Sequence, residues 1–426
     1  MAFETVNRMS DGSGHNLSEI SVALLTGGID KPYAMGLTSS LTLLGAGVDY
    51  IGSNEVDGPE LHRTPLVRFL NLRGDQCENV EFRKKLIRVV KYYARLVRYA
   101  AGDSPSIFHI LWNNRIEWLD RTLLMLYYRT LGKKIVFTAH NVNGAKRDGK
   151  DSWLNRLTLR IQYHLAHHIF VHTKKMEEDL LSDFKVPQQK VSVIPFGLNE
   201  IFPSTSLTTE QAKGRLQLRS DEKTVLFFGR IAPYKGVDYL VSAFAELARR
   251  VDGLRLIIAG KIEKGCSDYW EKVHRSISTA GIDKQTIERI GWIPDEEVET
   301  YFKAADVVVI PYTDIFQSGV PFLAYSFGLP VIATDVGSLR EDVIEGKTGY
   351  ICKPRDPSDL AKCMAKYFSS ELFREMEFRR SQIRNFAKER HSWMNIARIT
   401  SEVYRKLGHK EARFSSVSRN PTAASN

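Results

Sequence analysis

The strongest constraint on this chain is an alternation of short, nearly continuous apolar runs with amphipathic stretches, repeated along almost its whole length. ISVALLT (20–26), IFHIL (107–111), KIVFTAH (134–140), HIFVHT (168–173) and VSVIPFG (191–197) form a first series. TVLFFGR, LRLIIAG, ADVVVIP, LPVIATD and GYICK resume it after residue 220, spaced by helical stretches such as VDYLVSAFAELARR. Apolar runs of this kind belong to strands covered on both faces, as in a parallel sheet. Alternating strand and helix therefore predict doubly wound α/β layers. Between the two series, NEIFPSTSLTTEQAKGRLQLRSDEK opens with the Pro, Ser and Thr of a linker and places a boundary near 200–220.

A chain of 426 residues is too long for one core and suits two domains of roughly 200 residues each. Residues 19–205 are expected to form the first Rossmann-like domain and 206–390 the second, with 391–409 a C-terminal helix packing back on the first. Polar stretches at 1–18 and 410–426 have too little apolar content to pack and read as disordered tails. With 43% apolar and 26% charged residues, a fibrous or wholly disordered chain is excluded. The net charge of +10 favours an anionic partner, but it is spread evenly: 26 basic against 21 acidic residues in 1–200, and 34 against 29 in the rest. No half is a dedicated nucleic-acid arm. Cys77, Cys266, Cys352 and Cys363 match neither a zinc nor a redox spacing, which predicts reduced thiols. The opening MAFETVNRMSDGSGHNLSEI lacks the order of a secretory signal and no run is long enough to span a membrane, so a cytoplasmic protein is expected.

The first strand-to-helix turn of the second series reads FFGRIAPYKGVDYL. Gly229 and Gly236 allow tight turns, while Arg230 and Lys235 bring two cations to the positive end of a helix. A lone surface cation is usually just solvated; two at this spacing in such a turn suit a diphosphate.

At this point the sequence resembles the retaining GT-B glycosyltransferases, specifically family four, which includes many bacterial mannosyl- and glucosyltransferases. The resemblance lies in GRIAPYKGVDYLVSAF (229–244), LRLIIAG (254–260), IGWIPDEEVETYFKAADVVVIPY (290–312), FGLPVIATDVGSLREDVIEGKTGYI (327–351) and KPRDPSDLAKCM, and more loosely in LLTGGIDKPYAMGLTSSLTLLG, FTAHNV and VIPFGLNEIF. It implies two Rossmann-like domains facing across a cleft, a nucleotide diphosphate sugar held mainly by the second, an acceptor held mainly by the first, and transfer of a hexose with retention. By position, Arg230 and Lys235 would neutralise the leaving diphosphate. His140 would stand beside the reacting sugar, Gly27 and Gly28 would let the backbone approach donor sugar and diphosphate, and the backbone of Ile293 would contact the nucleobase. In the front-face mechanism implied, the departing phosphate oxygen takes the acceptor proton, so no protein base is needed.

The chain departs from the family at two glutamates that bind donor sugar and ribose: their positions hold Ile315 and Leu323. Gln317, Ser318, Gly319 and Val320 stand there at a predicted helix start, offering backbone N–H groups to the diphosphate, and Asp314 or Gln317 could take over a sugar hydroxyl. A catalytically degenerate sugar- or nucleotide-binding protein is the alternative. With no Asp-x-Asp and no carboxylate or histidine cluster at ligand spacing, a metal-independent reaction without cofactor is expected. His164, His167 and His168 read as structural residues where a helix runs into a strand.

The other conspicuous feature is VEFRKKLIRVVKYYARLVRYAA (80–101). Seven cations stand there against Glu81, with Phe82, Leu86, Val89, Val90, Tyr93, Leu96, Val97 and Ala100 at helical spacing. The apolar stripe is expected to pack on the first sheet, and the cations to face an anionic membrane surface or a lipid-linked acceptor, as in family members that dock on the cytoplasmic leaflet. This would make the protein peripheral on the inner face of the cell membrane. Nucleic acid is not an expected partner, since the cationic face lacks interleaved aromatics. A dinucleotide-dependent oxidoreductase would require G-x-G-x-x-G, which TGGIDKPYAMG does not supply.

Overall fold

The computed structural model describes residues 20–27, 31–77, 81–114, 116–147, 149–198 and 205–415. Its chain groups into two units, Met1–Phe137 together with Met394–Asn426, and Thr138–Trp393. Gly28 and the expected tail 1–18 lie outside the described residues.

The first unit carries β1 (Ser21–Leu25), β2 (Gly47–Gly52), β3 (Val67–Asn71), β4 (Ile107–Ile110) and β5 (Lys134–Thr138, its last residue counted with the second unit). They run parallel in the order β3-β2-β1-β4-β5. Val22 pairs with Val48 on one side and Ile107 on the other, so β1 is central, and Val22, Ala23 and Leu24 are wholly buried. Strands β2 and β3 were not among the expected runs. Asp49 interrupts the apolar run of β2, and the fold satisfies it with Arg68 on β3 and the Tyr99 hydroxyl, which donates at 2.6 Å. β3 is the edge strand, only partly covered.

Helix Phe82–Ala101 corrects the expected stripe. Its buried residues are Tyr92, Leu96 and Ala100, while Phe82 (78% exposed), Leu86, Ile87, Val90 and Val97 face solvent. Tyr93 and Tyr99 turn inward because their hydroxyls donate to the buried Asp120 and Asp49. Helix Trp393–Ser415 belongs to this unit from Met394 onward and is tied in by the buried His109 Nδ1···Tyr404 hydroxyl contact of 2.6 Å. It runs past residue 410, where composition suggested a tail, because KEARF continues it with good helix formers. Later residues lie outside those described.

In the second unit β6 (His168–Val171) and β7 (Val191–Val193) pair in parallel. A six-stranded parallel sheet follows: β8 (Lys223–Phe228), β9 (Leu254–Gly260), β10 (Thr286–Ile290), β11 (Val307–Ile310), β12 (Val331–Thr334) and β13 (Gly349–Cys352), ordered β10-β9-β8-β11-β12-β13. The order reverses between β8 and β11, which opens a crevice beyond the carboxyl ends of those strands. The expected linker contains a helix, Thr209–Arg215, because Thr208 and Gln211 form a capping box that starts it. Among the described residues no helix is long and apolar enough to cross a membrane.

Candidate active site

The loops after β8 and β11 meet at the reversal point. β8 ends at Phe228, and Gly229 (φ 128°) starts the turn. A side chain at neighbouring Gly260 would put its Cβ 1.8 Å from the Gly229 carbonyl oxygen, so this crossing admits only glycine. Pro233–Lys235 forms a short 3₁₀ turn, and Gly236 (φ 64°) opens helix Val237–Ala248 in the left-handed region. A Cβ at Gly236 would lie 2.0 Å from the Pro311 carbonyl oxygen, and Thr313 N–H donates to the Tyr234 carbonyl at 2.8 Å. The two loops are thereby held in one register.

This geometry separates the two predicted cations. Arg230 is exposed on the wall of a groove of about 180 Å³, together with Gly229, Lys261, Trp292, Ile293 and Asp295. Lys235 is 9% exposed, and its Nζ lies 3.8 Å from the centroid of Tyr312. A cation over an aromatic face keeps its charge stabilised at little conformational freedom. Tyr312 in turn reaches the buried Ser318 at 3.5 Å, and Ser318 Oγ accepts from Val320 N–H at 3.3 Å. Val320 Cγ2 stands 3.8 Å from where a Gly229 side chain would begin. Lys235, Ser318 and Val320 are thus connected through Tyr312, Val320 faces Gly229, and Arg230 and Ile293 share the neighbouring groove. Gln317 is half-buried, its Nε2 3.5 Å from Asp342, and Gly319 precedes helix Val320–Ser326. Ile315 and Leu323 are both buried in the core, so the side chains that replace the glutamates are packing residues.

His140 follows β5 by two residues and is half-buried. Its Nδ1 lies 3.1 Å from Nε2 of His172, which directly follows β6 and was not singled out from the sequence. Burial pushes His172 down to about 4, which keeps it neutral at physiological pH. Its Nδ1 faces the Ile194 carbonyl at 3.3 Å and so carries the proton. Nε2 of His172 must then accept from Nδ1–H of His140, which fixes the orientation of the His140 ring. Phe196 packs against both imidazoles, stacks on Phe322 (5.2 Å, 16°) and lies 3.7 Å from a Gly319 Cβ position. His140 is thus linked to the Gly319–Val320 corner through one aromatic ring.

Gly27 lies in the first unit and is described there alone: φ is 66°, and a Cβ would meet Trp112 Cβ at 2.6 Å. His164 Nδ1 donates to the Arg160 carbonyl and His168 Nε2 contacts Ser192, as structural histidines do. Among the described residues no group of three His, Cys, Asp or Glu is placed to hold a metal ion.

Two family models match: one described as glycosyl transferases group 1 over residues 222–370, the other as glycosyltransferase family 4 over 33–200. The chain belongs to the family 4 type of group 1 glycosyltransferases. It is 30% identical over 240 residues to an uncharacterized glycosyltransferase of Methanocaldococcus jannaschii, covering 55% of this chain and 58% of that one. It is 28% identical over 394 residues to the D-inositol 3-phosphate glycosyltransferase of Corynebacterium efficiens, covering 87% and 89%. Among solved structures, sucrose-phosphate synthase from Thermosynechococcus elongatus superposes with a TM-score of 0.73 at 21% identity, covering 92% of this chain and all of that one. Anabaena HepE in complex with UDP and glucose gives 0.70 at 16%, covering 91% and 100%. Two parallel-sheet α/β domains of GT-B type are the fold of this glycosyltransferase.

Proposed function

We propose that this glycosyltransferase transfers a hexose from a nucleotide diphosphate sugar to a carbohydrate or lipid-linked acceptor, with retention and without a metal. The observation that carries the reading is the strand-to-helix turn after β8, which carries both Arg230, on the wall of a groove, and Lys235, held over Tyr312 next to Ser318. Two cations there can stabilise the charge that develops on a departing diphosphate, the work a divalent ion does elsewhere. The departing phosphate oxygen would accept the acceptor proton. His140 would stand beside the reacting sugar, its ring held by His172. Because HepE has been solved with UDP-glucose, a UDP-hexose is the donor to try first.

The test is transfer or slow hydrolysis with a panel of UDP-, GDP- and ADP-sugars in the presence of EDTA. Arg230→Ala and Lys235→Ala should each lower turnover at least about tenfold. Near-normal turnover in both variants would place the diphosphate elsewhere; no reaction with any donor would favour the degenerate alternative, and dependence on added Mg²⁺ would end the metal-free reading.

Contact with an anionic membrane through residues 80–101 is also proposed, since Phe82, Leu86, Ile87 and Val90 are exposed on a helix rich in cations. Flotation with anionic but not neutral liposomes is expected. Binding that survives charge reversal at Arg83, Lys84 and Lys91 would exclude this helix.

A further inference from the structure

A pocket in the first unit gathers positive charge without an equal countercharge. It is lined by the loop after β3, helix Phe82–Ala101 and the loop after β4, through Arg73, Gln76, Lys85, Arg88, Tyr92 and Asn114. Arg73 is only 8% exposed. Its Nη2 donates to Asn114 Oδ1, which also accepts from the Tyr92 hydroxyl, and its guanidinium carbon lies 4.5 Å from the Tyr92 centroid. Its Nε is buried and donates to nothing among the described residues.

Among the described residues Arg73 forms no ion pair, and the buried Asp120 acts on it only through space. Asp120 is held instead by Asn114, through N–H and Nδ2 at 2.8 Å each, and by the Tyr93 hydroxyl at 2.9 Å. Lys85 is half-buried and forms no ion pair among the described residues. Arg88 has the exposed Asp75 at 3.5 Å and donates to the carbonyls of Asp75 and Cys77. Arginine and lysine are rarely withdrawn from water unless paired, because a buried cation with an unused donor is destabilising. An apolar or cationic ligand would leave that donor unused, whereas an anion would satisfy it. A guanidinium fork with two further cations on the same wall suits a tetrahedral, multiply charged oxyanion.

We infer that this pocket binds the phosphoryl group of a phosphomonoester, with Arg73 as the anchor and Lys85 and Arg88 as the neutralising charges. The same chemistry is offered by a soluble phosphorylated molecule and by a lipid headgroup. The inference does not rest on glycosyl transfer, and its test is read from binding alone.

The full chain carrying Arg230→Ala and Lys235→Ala, so that the donor-side cations do not contribute, is titrated with inorganic phosphate and glucose 6-phosphate by calorimetry. In parallel it is mixed with phosphatidate and with phosphatidylcholine vesicles. Saturable binding of a phosphomonoester is expected, and adding Lys85→Gln should weaken it at least about tenfold, as loss of a charge-assisted contact does. Arg73→Gln should abolish it, but that buried variant could misfold; Lys85→Gln, whose melting temperature should be unchanged, decides. Glucose 6-phosphate binding that falls with Lys85→Gln assigns a soluble ligand. Phosphatidate binding that falls in the same variant, without glucose 6-phosphate binding, assigns a headgroup. Absence of both, or affinity indifferent to Lys85→Gln, overturns the inference.

Discussion

His391 and His172 show how single side chains couple this fold to pH. His391 is buried, its Nδ1–H donates to the Phe196 carbonyl at 3.0 Å, and burial pushes it down to about 4, as it does His172. In the unfolded chain an imidazole titrates near 6.5. Folding therefore favours the neutral form: this contribution is fully present above about 6.5 and is lost as pH falls towards 4, where the unfolded state takes up protons first. Each residue can account for roughly 3 kcal/mol at most over that window. His391→Asn keeps a donor for Phe196 but cannot titrate, so its melting temperature should fall less between pH 6.5 and 4 than that of the unaltered protein. Equal slopes would show that His391 is not held neutral. At Gly260 the constraint is steric, and Gly260→Ala should cost at least about 1–3 kcal/mol because the Gly229 carbonyl must move. Donor binding should weaken with it, a change that calorimetry with UDP would read.

Among the elements, helix Phe82–Ala101 has the least expected arrangement. Its sequence carries more apolar residues than one buried face can use, and the buried face is chosen by the hydroxyls of Tyr93 and Tyr99 together with Leu96 and Ala100. Leu96→Ala should therefore cost about 2–5 kcal/mol, whereas Val90→Ser should stay within about 0.5 kcal/mol, measured by denaturant unfolding. Similar costs at the two positions would mean that the solvent-facing stripe is covered. Strands β2 and β3 were hard to read for a related reason: Asp49 and Arg68 sit where an apolar run would be expected, and each is satisfied by the other across the strand pair. The turn from Gly229 to Gly236 was legible because its glycines, its two cations and the following helix are contiguous in the chain.

Across the whole molecule, the first unit is discontinuous, since residues from Met394 onward return to it. The buried Tyr404 hydroxyl on His109 is its visible seam. Tyr404→Phe leaves the imidazole without that partner and should cost about 1–3 kcal/mol, while a chain ending at Trp393 should lose far more and expose apolar surface to a hydrophobic dye. A truncated chain that melted like the full one would show that the helix is dispensable.

The alternation of apolar runs with amphipathic helices was enough to determine two parallel α/β layers, and the resemblance in 229–351 was enough for the family, because both are carried by residues close together in the chain. Convergence of distant segments was beyond it. Only the folded chain sets Lys235 over Tyr312, orients His140 by His172, packs Ile315 and Leu323 into the core and buries Arg73 with no ion pair among the described residues. Burial and hydrogen-bond partners of that kind depend on which loops the sheet order brings together, a long-range property that local periodicity does not encode.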